Sequence, residues 1–181
     1  MEQVRETDSV LVEGCARNDR GMQEKLYRKY SMLMYNICLA YAGNRAEAMD
    51  ILQEGFIKVF KNISKFVQTG SVEGWIRRIV TNTAIDHYRK NQRNRKMITL
   101  EEAEIRGNSF DKTPDLLNYK DIYKQVKRLP NGARMIFNLY AIEGYTHKEI
   151  AEKLEITEGT SKSQVNRARK LLAHWLAEYR R

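Results

Sequence analysis

The sequence predicts an all-α protein made of two small helical domains joined by a flexible linker, the second containing a helix-turn-helix. Three observations carry this. Only two prolines and ten glycines punctuate the 181 residues, so little interrupts helix formation. Through two long stretches, apolar residues recur at the spacing of helices with one buried face. Between them, from Lys96 to Pro114, that periodicity breaks down around Glu101, Glu102, Glu104 and the turn-like Gly107-Asn108-Ser109. The expected divisions are therefore 1–95, 96–114 and 115–181, with a short helix around Glu101–Ile105 inside the linker.

In the first unit, Leu11, Val12 and Cys15 suggest an opening helix broken at Asn18-Asp19. Leu26, Tyr30, Leu33, Met34, Ile37 and Tyr41 mark the next, which Gly43 is expected to end as a left-handed C-cap. Asn44 then caps a helix running from Arg45 to Ile63, with Glu47 at the third position. Its buried stripe is Ala48, Leu52, Phe56, Val59 and Ile63. Asp50, Glu54 and Ile57 project from the other side, flanked by Ile51 and Gln53. An isoleucine between carboxylates suits a protein-docking surface with a charged rim, although single exposed apolar residues are also normal.

Residues 61–95 hold Lys61, Lys65, Arg77, Arg78, Arg89, Lys90, Arg93 and Arg95 against Glu73 and Asp86. A polar loop, Gln68-Thr69-Gly70-Ser71-Val72-Glu73-Gly74, precedes a helix expected from Trp75 to about Lys90. Trp75, Ile76, Ile79, Asn82 and Asp86 define its inner side, where Asn82 and Asp86 are expected to bond the loop backbone. Arg77, Arg78, Thr81 and Tyr88 face outward, with Arg89 and Lys90 near the end. Cations interleaved with an aromatic suit single-stranded nucleic acid, whose bases stack while its phosphates pair with charge.

In the second unit, Leu116, Ile122, Val126 and Leu129 predict a helix ending at Pro130, and Ile136, Phe137 and Tyr140 a second that stops at Gly144. The helix-turn-helix spans Tyr145–Trp175. Thr146 and Glu149 form a capping box before Ile150, Ala151 and Leu154, Glu155-Ile156-Thr157 makes the turn, and Thr157 or Glu158 starts the last helix. At about 100° per residue, Val165, Ala168, Leu172, Trp175 and Leu176 fall on its back. Thr160, Ser163, Gln164, Arg167 and Lys170 fall on its front. Such a front suits the major groove, where Arg and Gln bond base edges and Lys and hydroxyls hold phosphates.

Bulk properties narrow the function. Thirty-two Lys+Arg against 23 Asp+Glu give a net charge of +9 and a pI near 9.5, favouring a polyanionic partner. With 42% hydrophobic residues, helical cores can be filled. The apolar runs are too short for a bilayer span and the N-terminus lacks a signal-peptide core, so a cytoplasmic protein without membrane insertion is expected. Cys15 and Cys38 each sit in an apolar helical pattern and read as small buried side chains. His87, His147 and His174 lie far apart, and neither HxxxH, CxxC nor a Gly-rich phosphate loop occurs. No catalytic residue, metal or cofactor is expected.

The segments DILQEGFIKVFKNISKF (Asp50–Phe66), GWIRRIVTNTAIDHYRK (Gly74–Lys90) and LPNGARMIFNLYAIEGYTHKEIAEKLEITEGTSKSQVNRARKLL (Leu129–Leu172) lie in a diagnostic order. With them, the chain resembles a bacterial RNA polymerase sigma factor of the extracytoplasmic-function (ECF) group, which has sigma regions 2 and 4. The resemblance implies that Asp50, Ile51, Gln53, Glu54 and Ile57 bind core RNA polymerase. It implies −10 promoter contacts from Gln68, Thr69, Ser71, Val72, Arg77, Arg78, Asn82, Tyr88 and Arg89, with a base flipped into the loop and Asn82 beside that pocket. It implies −35 contacts from Thr160, Lys162, Ser163, Gln164, Asn166, Arg167 and Lys170, with Arg169 nearer the core side. It further implies an anti-sigma factor as a partner. The chain departs from common family patterns at Glu155, where glycine is frequent, and at Val72, where some members carry an aromatic. Two other readings remain at this stage. An ordinary helix-turn-helix regulator would need neither the Asp50/Glu54/Ile57 face nor the basic 77–95 segment. A nucleic-acid enzyme lacks a recognisable catalytic constellation.

Overall fold

A computed structural model describes residues 7–67, 70–98 and 119–178, with backbone alone for 94–98, 119–123 and 178. Among the described residues there are helices and no strands. The chain divides into two compact units, Met1–Tyr88 and Arg89–Arg181. Gln68, Thr69 and residues 99–114 of the expected linker, including Glu101–Ile105, lie outside the described residues.

The first unit opens with α1 (Asp8–Ala16), which buries Leu11, Val12 and Cys15. Asn18 turns the chain in the left-handed region at φ 60°, a conformation asparagine tolerates better than most residues. Asp19 then caps α2 (Arg20–Tyr41), its Oδ1 accepting from the Met22 N–H at 3.1 Å. Lys29 Nζ and Tyr30 Oη both donate to the Asp8 carboxylate, at 2.6 and 2.8 Å, pinning α1 to α2. Cys15 and Cys38 are free and buried, and burial pushes the Cys38 thiol up to about 12.

Two expectations for α2 fail. Leu33 is exposed, because the buried stripe is filled by Leu26, Tyr30, Met34, Cys38 and Tyr41, with Ala40 beside them. Gly43 is not a left-handed cap: α2 ends at Tyr41 and Ala42 is extended at φ −71°, ψ 153°. The following helix claims this junction. Asn44 Oδ1 accepts from the Glu47 N–H at 2.8 Å, and Glu47 Oε2 accepts from the Gly43 N–H at 2.6 Å. The start of α3 (Arg45–Asn62) therefore dictates the turn. A single 3₁₀ turn, Ile63–Lys65, follows, and α2 packs along both α1 and α3.

Helix α4 (Val72–Ile98) is longer than expected at both ends. The Ser71 carbonyl accepts from the Trp75 N–H at 3.0 Å, so Val72-Glu73-Gly74 already form its first turn. At the other end nothing between Asn91 and Ile98 is a glycine or proline, and cations there suit the negative end of the helix dipole. Gly55 of α3 lies directly against α4. A Cβ there would sit 3.1 Å from Val80 Cγ2 and 3.6 Å from Val80 Cα.

The second unit takes in the end of α4 from Arg89 onward, with α5 (Tyr119–Arg128), α6 (Asn131–Ala141), α7 (His147–Leu154) and α8 (Glu158–Glu178). Val126, Leu129, Ala133, Ala168 and Leu172 form one core cluster, with Phe137, Leu171 and Trp175 packed against it. Buried Arg134 ties α5 to α6 by donating to the Lys127 carbonyl at 3.1 Å and Asn131 Oδ1 at 3.0 Å. Gly144, at φ 75°, supplies the left-handed residue that turns the chain between α6 and α7.

Candidate partner and nucleic-acid interfaces

On α3, Asp50 and Gln53 are exposed and Ile57 is 53% exposed, while Glu54 is half-buried. Ile51 corrects the expected docking face: it is 1% exposed and belongs to the core. The reason is its register. Ile51 lies one turn before Gly55 on the side that α4 covers, which the α3 stripe alone does not reveal.

Glu54 is engaged within the unit. Its Oε1 accepts from Lys58 Nζ at 2.9 Å, and Oε2 lies 2.6 Å from His87 Nε2 on α4. Lys58 Nζ also donates to Asp86 Oδ2 at 3.1 Å. The Lys58 hydrogen bond, opposed by desolvation and helped by His87, holds the Glu54 carboxyl below its ordinary range. Asp86 thus bonds a lysine of α3 rather than the preceding loop, and it is exposed rather than inward.

The buried stripe of α4 is Val72, Ile76, Val80, Thr81, Thr83, Ala84 and Ile85. Thr81, expected to face outward, is 1% exposed, and its Oγ1 has no hydrogen-bond partner among the described residues. So broad a buried arc means that α4 is covered on more than one side, whereas a single-stripe reading assumes one. Val72 likewise is a buried residue of the first helical turn, not a loop residue open to a ligand. Of the other −10 candidates, Ser71 and Arg78 are exposed, and Arg77, Asn82, Tyr88 and Arg89 are half-buried. Ser71 Oγ accepts from the Gly74 N–H at 3.3 Å, so this serine also starts the helix. The loop leading to α4 is anchored by Phe66 against Trp75, their ring centroids 5.5 Å apart. Val67, 68% exposed, was not singled out from the sequence, although an apolar residue beside a polar loop was a signal available to find it.

The helix-turn-helix forms as expected. Thr146 and Glu149 make a reciprocal capping box, Glu149 Oε2 accepting from the Thr146 N–H at 2.8 Å and Thr146 Oγ1 from the Glu149 N–H at 3.2 Å. The Thr146 N–H first, and then the Thr146 hydroxyl, which also donates to Glu149 Oε2 at 2.8 Å, lower the Glu149 carboxyl's affinity for a proton. Ile150, Ala151 and Leu154 are buried. Glu155 takes the left-handed conformation at φ 56°, ψ 45°, so the turn holds a non-glycine residue without shifting. Thr157 Oγ1 accepts from the Thr160 N–H at 3.1 Å at the start of α8. Thr160, Lys162, Ser163, Asn166, Arg167 and Lys170 are exposed on α8, and Gln164 is half-buried. Val165, Ala168 and Leu172 are buried behind them. Arg169 is exposed, with its guanidinium 5.6 Å from the Tyr140 ring centroid.

One polar link escaped the sequence reading. Ser161, wholly buried on α8, has its Oγ 2.9 Å from His147 Nδ1 on α7. The His147 ring stacks on Tyr140 of α6, at 4.5 Å and 13°.

Comparison with known proteins bears on both units. The Sigma-70 region 2 family model matches residues 26–94 and the Sigma-70, region 4 model matches residues 119–172. ECF RNA polymerase sigma factor SigE of Mycolicibacterium smegmatis is 32% identical over 161 residues, covering 86% of this chain and 62% of that protein. The chain belongs to the ECF sigma factors. It thus spans less than two thirds of the length of SigE, but 86% of ECF sigma factor SigW of Bacillus subtilis, to which it is 29% identical over 82% of its own length. Among solved structures, sigma factor RpoE of Bartonella quintana, in complex with the anti-sigma factor NepR, has a TM-score of 0.53 at 19% identity, covering 85% of this chain and 96% of that one. CnrH, in complex with the cytosolic domain of CnrY, has a TM-score of 0.51 at 18% identity, covering 94% and 97%. These two likenesses are of fold. Among the described residues of this ECF sigma chain, no helix is long and apolar enough to cross a membrane.

Proposed function

We infer that this chain acts as a promoter-specificity subunit: it binds core RNA polymerase, recognises −10 and −35 promoter elements and promotes strand opening. The observation that carries this is the pairing of sigma region 2 with sigma region 4 in one chain, in that order. A regulator that merely bound DNA would need the second alone.

In this reading residues 1–95 form the region 2 domain, 96–114 the linker and 115–181 the region 4 domain. Asp50, Gln53 and Ile57 present the docking face to core polymerase, with Glu54 at its edge. An exposed apolar residue ringed by polar ones is what a small docking site requires. Gln68, Thr69 and Ser71 contribute to the −10 loop, and Arg77, Arg78, Asn82, Tyr88 and Arg89 to the adjoining helix. Flipping a base costs a few kcal/mol, which contacts of these cations and Tyr88 with the separated strand offset. Val72, being buried, shapes the loop exit. Thr160, Lys162, Ser163, Gln164, Asn166, Arg167 and Lys170 meet the −35 major groove and its phosphates. The work is done in the cytoplasm, and an anti-sigma factor covers these surfaces until a signal arrives, as the RpoE–NepR pairing suggests by analogy.

The test is transcription with purified core polymerase on a pool of genomic promoters. The chain should bind core and direct initiation at a defined subset. If it binds DNA but neither binds core nor changes where transcription starts, the regulator reading replaces this one.

A further inference from the structure

We propose that His147, through its hydrogen bond to Ser161, is a positioning residue that sets the rotation of α8 for −35 recognition; this rests on the assignment of α8 as the −35 helix. The back of α8 packs through Val165, Ala168 and Leu172, with Leu171 and Trp175 packed against the core cluster further along the helix. That stripe decides which side of α8 faces the core; apolar contact is non-directional, however, and leaves the fine rotation about the helix axis less sharply set. A hydrogen bond does fix it, because strength falls steeply as the angle opens.

Ser161 supplies that constraint at the most useful place. It lies between Thr160 and Lys162, in the turn of α8 that carries the first front residues. It is wholly buried, so its hydroxyl needs a protein partner, and His147 Nδ1 at 2.9 Å provides one. His147 is itself held on two sides. It is the first residue of α7, directly after the Thr146 capping box, and its ring lies flat on Tyr140 of α6. Arg169 of α8 also places its guanidinium over that same Tyr140 ring, at 5.6 Å. Tyr140, His147 and Ser161 therefore join α6, α7 and α8 through one directional chain. A rotation of α8 by a few tens of degrees would leave Val165, Ala168 and Leu172 covered but open the Ser161–His147 hydrogen-bond angle and swing the whole front away from its groove.

The test uses holoenzyme, reconstituted from the full chain and core polymerase, to select duplexes from a library randomised across the −35 element. Asn at position 147 can place a polar atom near Nδ1, whereas Phe keeps the stacked ring and loses the bond. His147→Phe should flatten the preference at several −35 positions together and weaken binding to the selected duplexes about tenfold. His147→Asn should retain most of the selectivity. The decisive variant is His147→Phe with Ser161→Ala, which makes the contact wholly apolar: melting temperature should return towards that of the parent chain while the −35 profile stays flat. If the double variant selects the parental −35 sequence with full contrast, the contact is packing alone and the proposal fails. It fails equally if His147→Asn is no better than His147→Phe, or if only one base position is affected, which would mark a direct base contact. Should the parent holoenzyme itself select no −35 sequence, the assignment of α8 is what has failed, and the proposal falls with it.

Discussion

The two interfaces, α3–α4 in the first unit and α7–α8 in the second, differ in how their helices are covered. Helix α8 has one apolar back and a front left open, so Thr160, Ser163 and Arg167 are exposed and Val165, Ala168 and Leu172 buried. Helix α4 buries residues over a wide arc, from Val72 and Ile76 through Thr81, Thr83 and Ile85. A helix touched on one side obeys a single stripe; a helix wedged among neighbours does not. The difference also suits the proposed tasks. Duplex reading needs a helix that protrudes, whereas strand opening needs a rigid element that does not bend when a base is pulled from its stack.

The largest effect should separate the two isoleucines of α3. Ile51→Ala should cost about 2–5 kcal/mol of folding stability, as a core truncation. Ile57→Ala should leave stability within about 0.5 kcal/mol and weaken association with core polymerase. Chemical denaturation and a core-binding titration measure both, and equal stability losses would break the contrast between the faces. Next in size, Arg167→Ala should relax discrimination at one −35 position by about 1–3 kcal/mol. A uniform loss across all sequences would make Arg167 a phosphate contact instead.

Smaller effects sharpen the comparison from the backbone and the buried polar groups. At position 155, Gly should be more stable than Ala by about 1 kcal/mol, since both remove the charge and only Ala retains a Cβ in the left-handed region. Equal stability would place the turn elsewhere in φ, ψ space. Thr81→Val should stabilise the first unit by about 1 kcal/mol, because it removes a buried hydroxyl that has no partner among the described residues. A loss of stability there would mean that the hydroxyl is satisfied, and with it that α4 is less tightly enclosed.

The last prediction is pH-dependent. Lys58 first, and His87 with it, hold the Glu54 carboxyl below its ordinary value of 4.5. Folded Glu54 therefore binds protons less readily than unfolded Glu54, so its contribution is present above about pH 4.5 and is lost as pH falls through the lowered value. Because Glu54 is partly exposed, solvent screens the pair and the effect is small. Glu54→Gln should remove that part of the acid sensitivity. An unchanged acid profile in the variant would show that the α3–α4 link contributes nothing at low pH.

What the sequence determined by itself is whatever depends on residues a few positions apart. The all-α class follows from helical periodicity, and the starts of α3, α7 and α8 from Asn44, Thr146 and Thr157, whose side chains bond backbone N–H groups three residues on. The front of α8 was legible for the same reason, since one period describes a helix with one buried face. What the tertiary structure decided is what distant segments do to a face. Ile51 is core because α4 crosses beside Gly55; Thr81 is inside because α4 is enclosed; Asp86 turns to Lys58 because α3 brings a lysine within reach. Gly43 lost its expected cap to the start of the following helix. The His147–Ser161 link joins residues 14 apart on different helices, so it exists only once α7 and α8 have docked. Local hydrogen bonds and periodicity are written into neighbouring residues, but which face of a helix meets water is settled by elements that arrive from elsewhere in the chain.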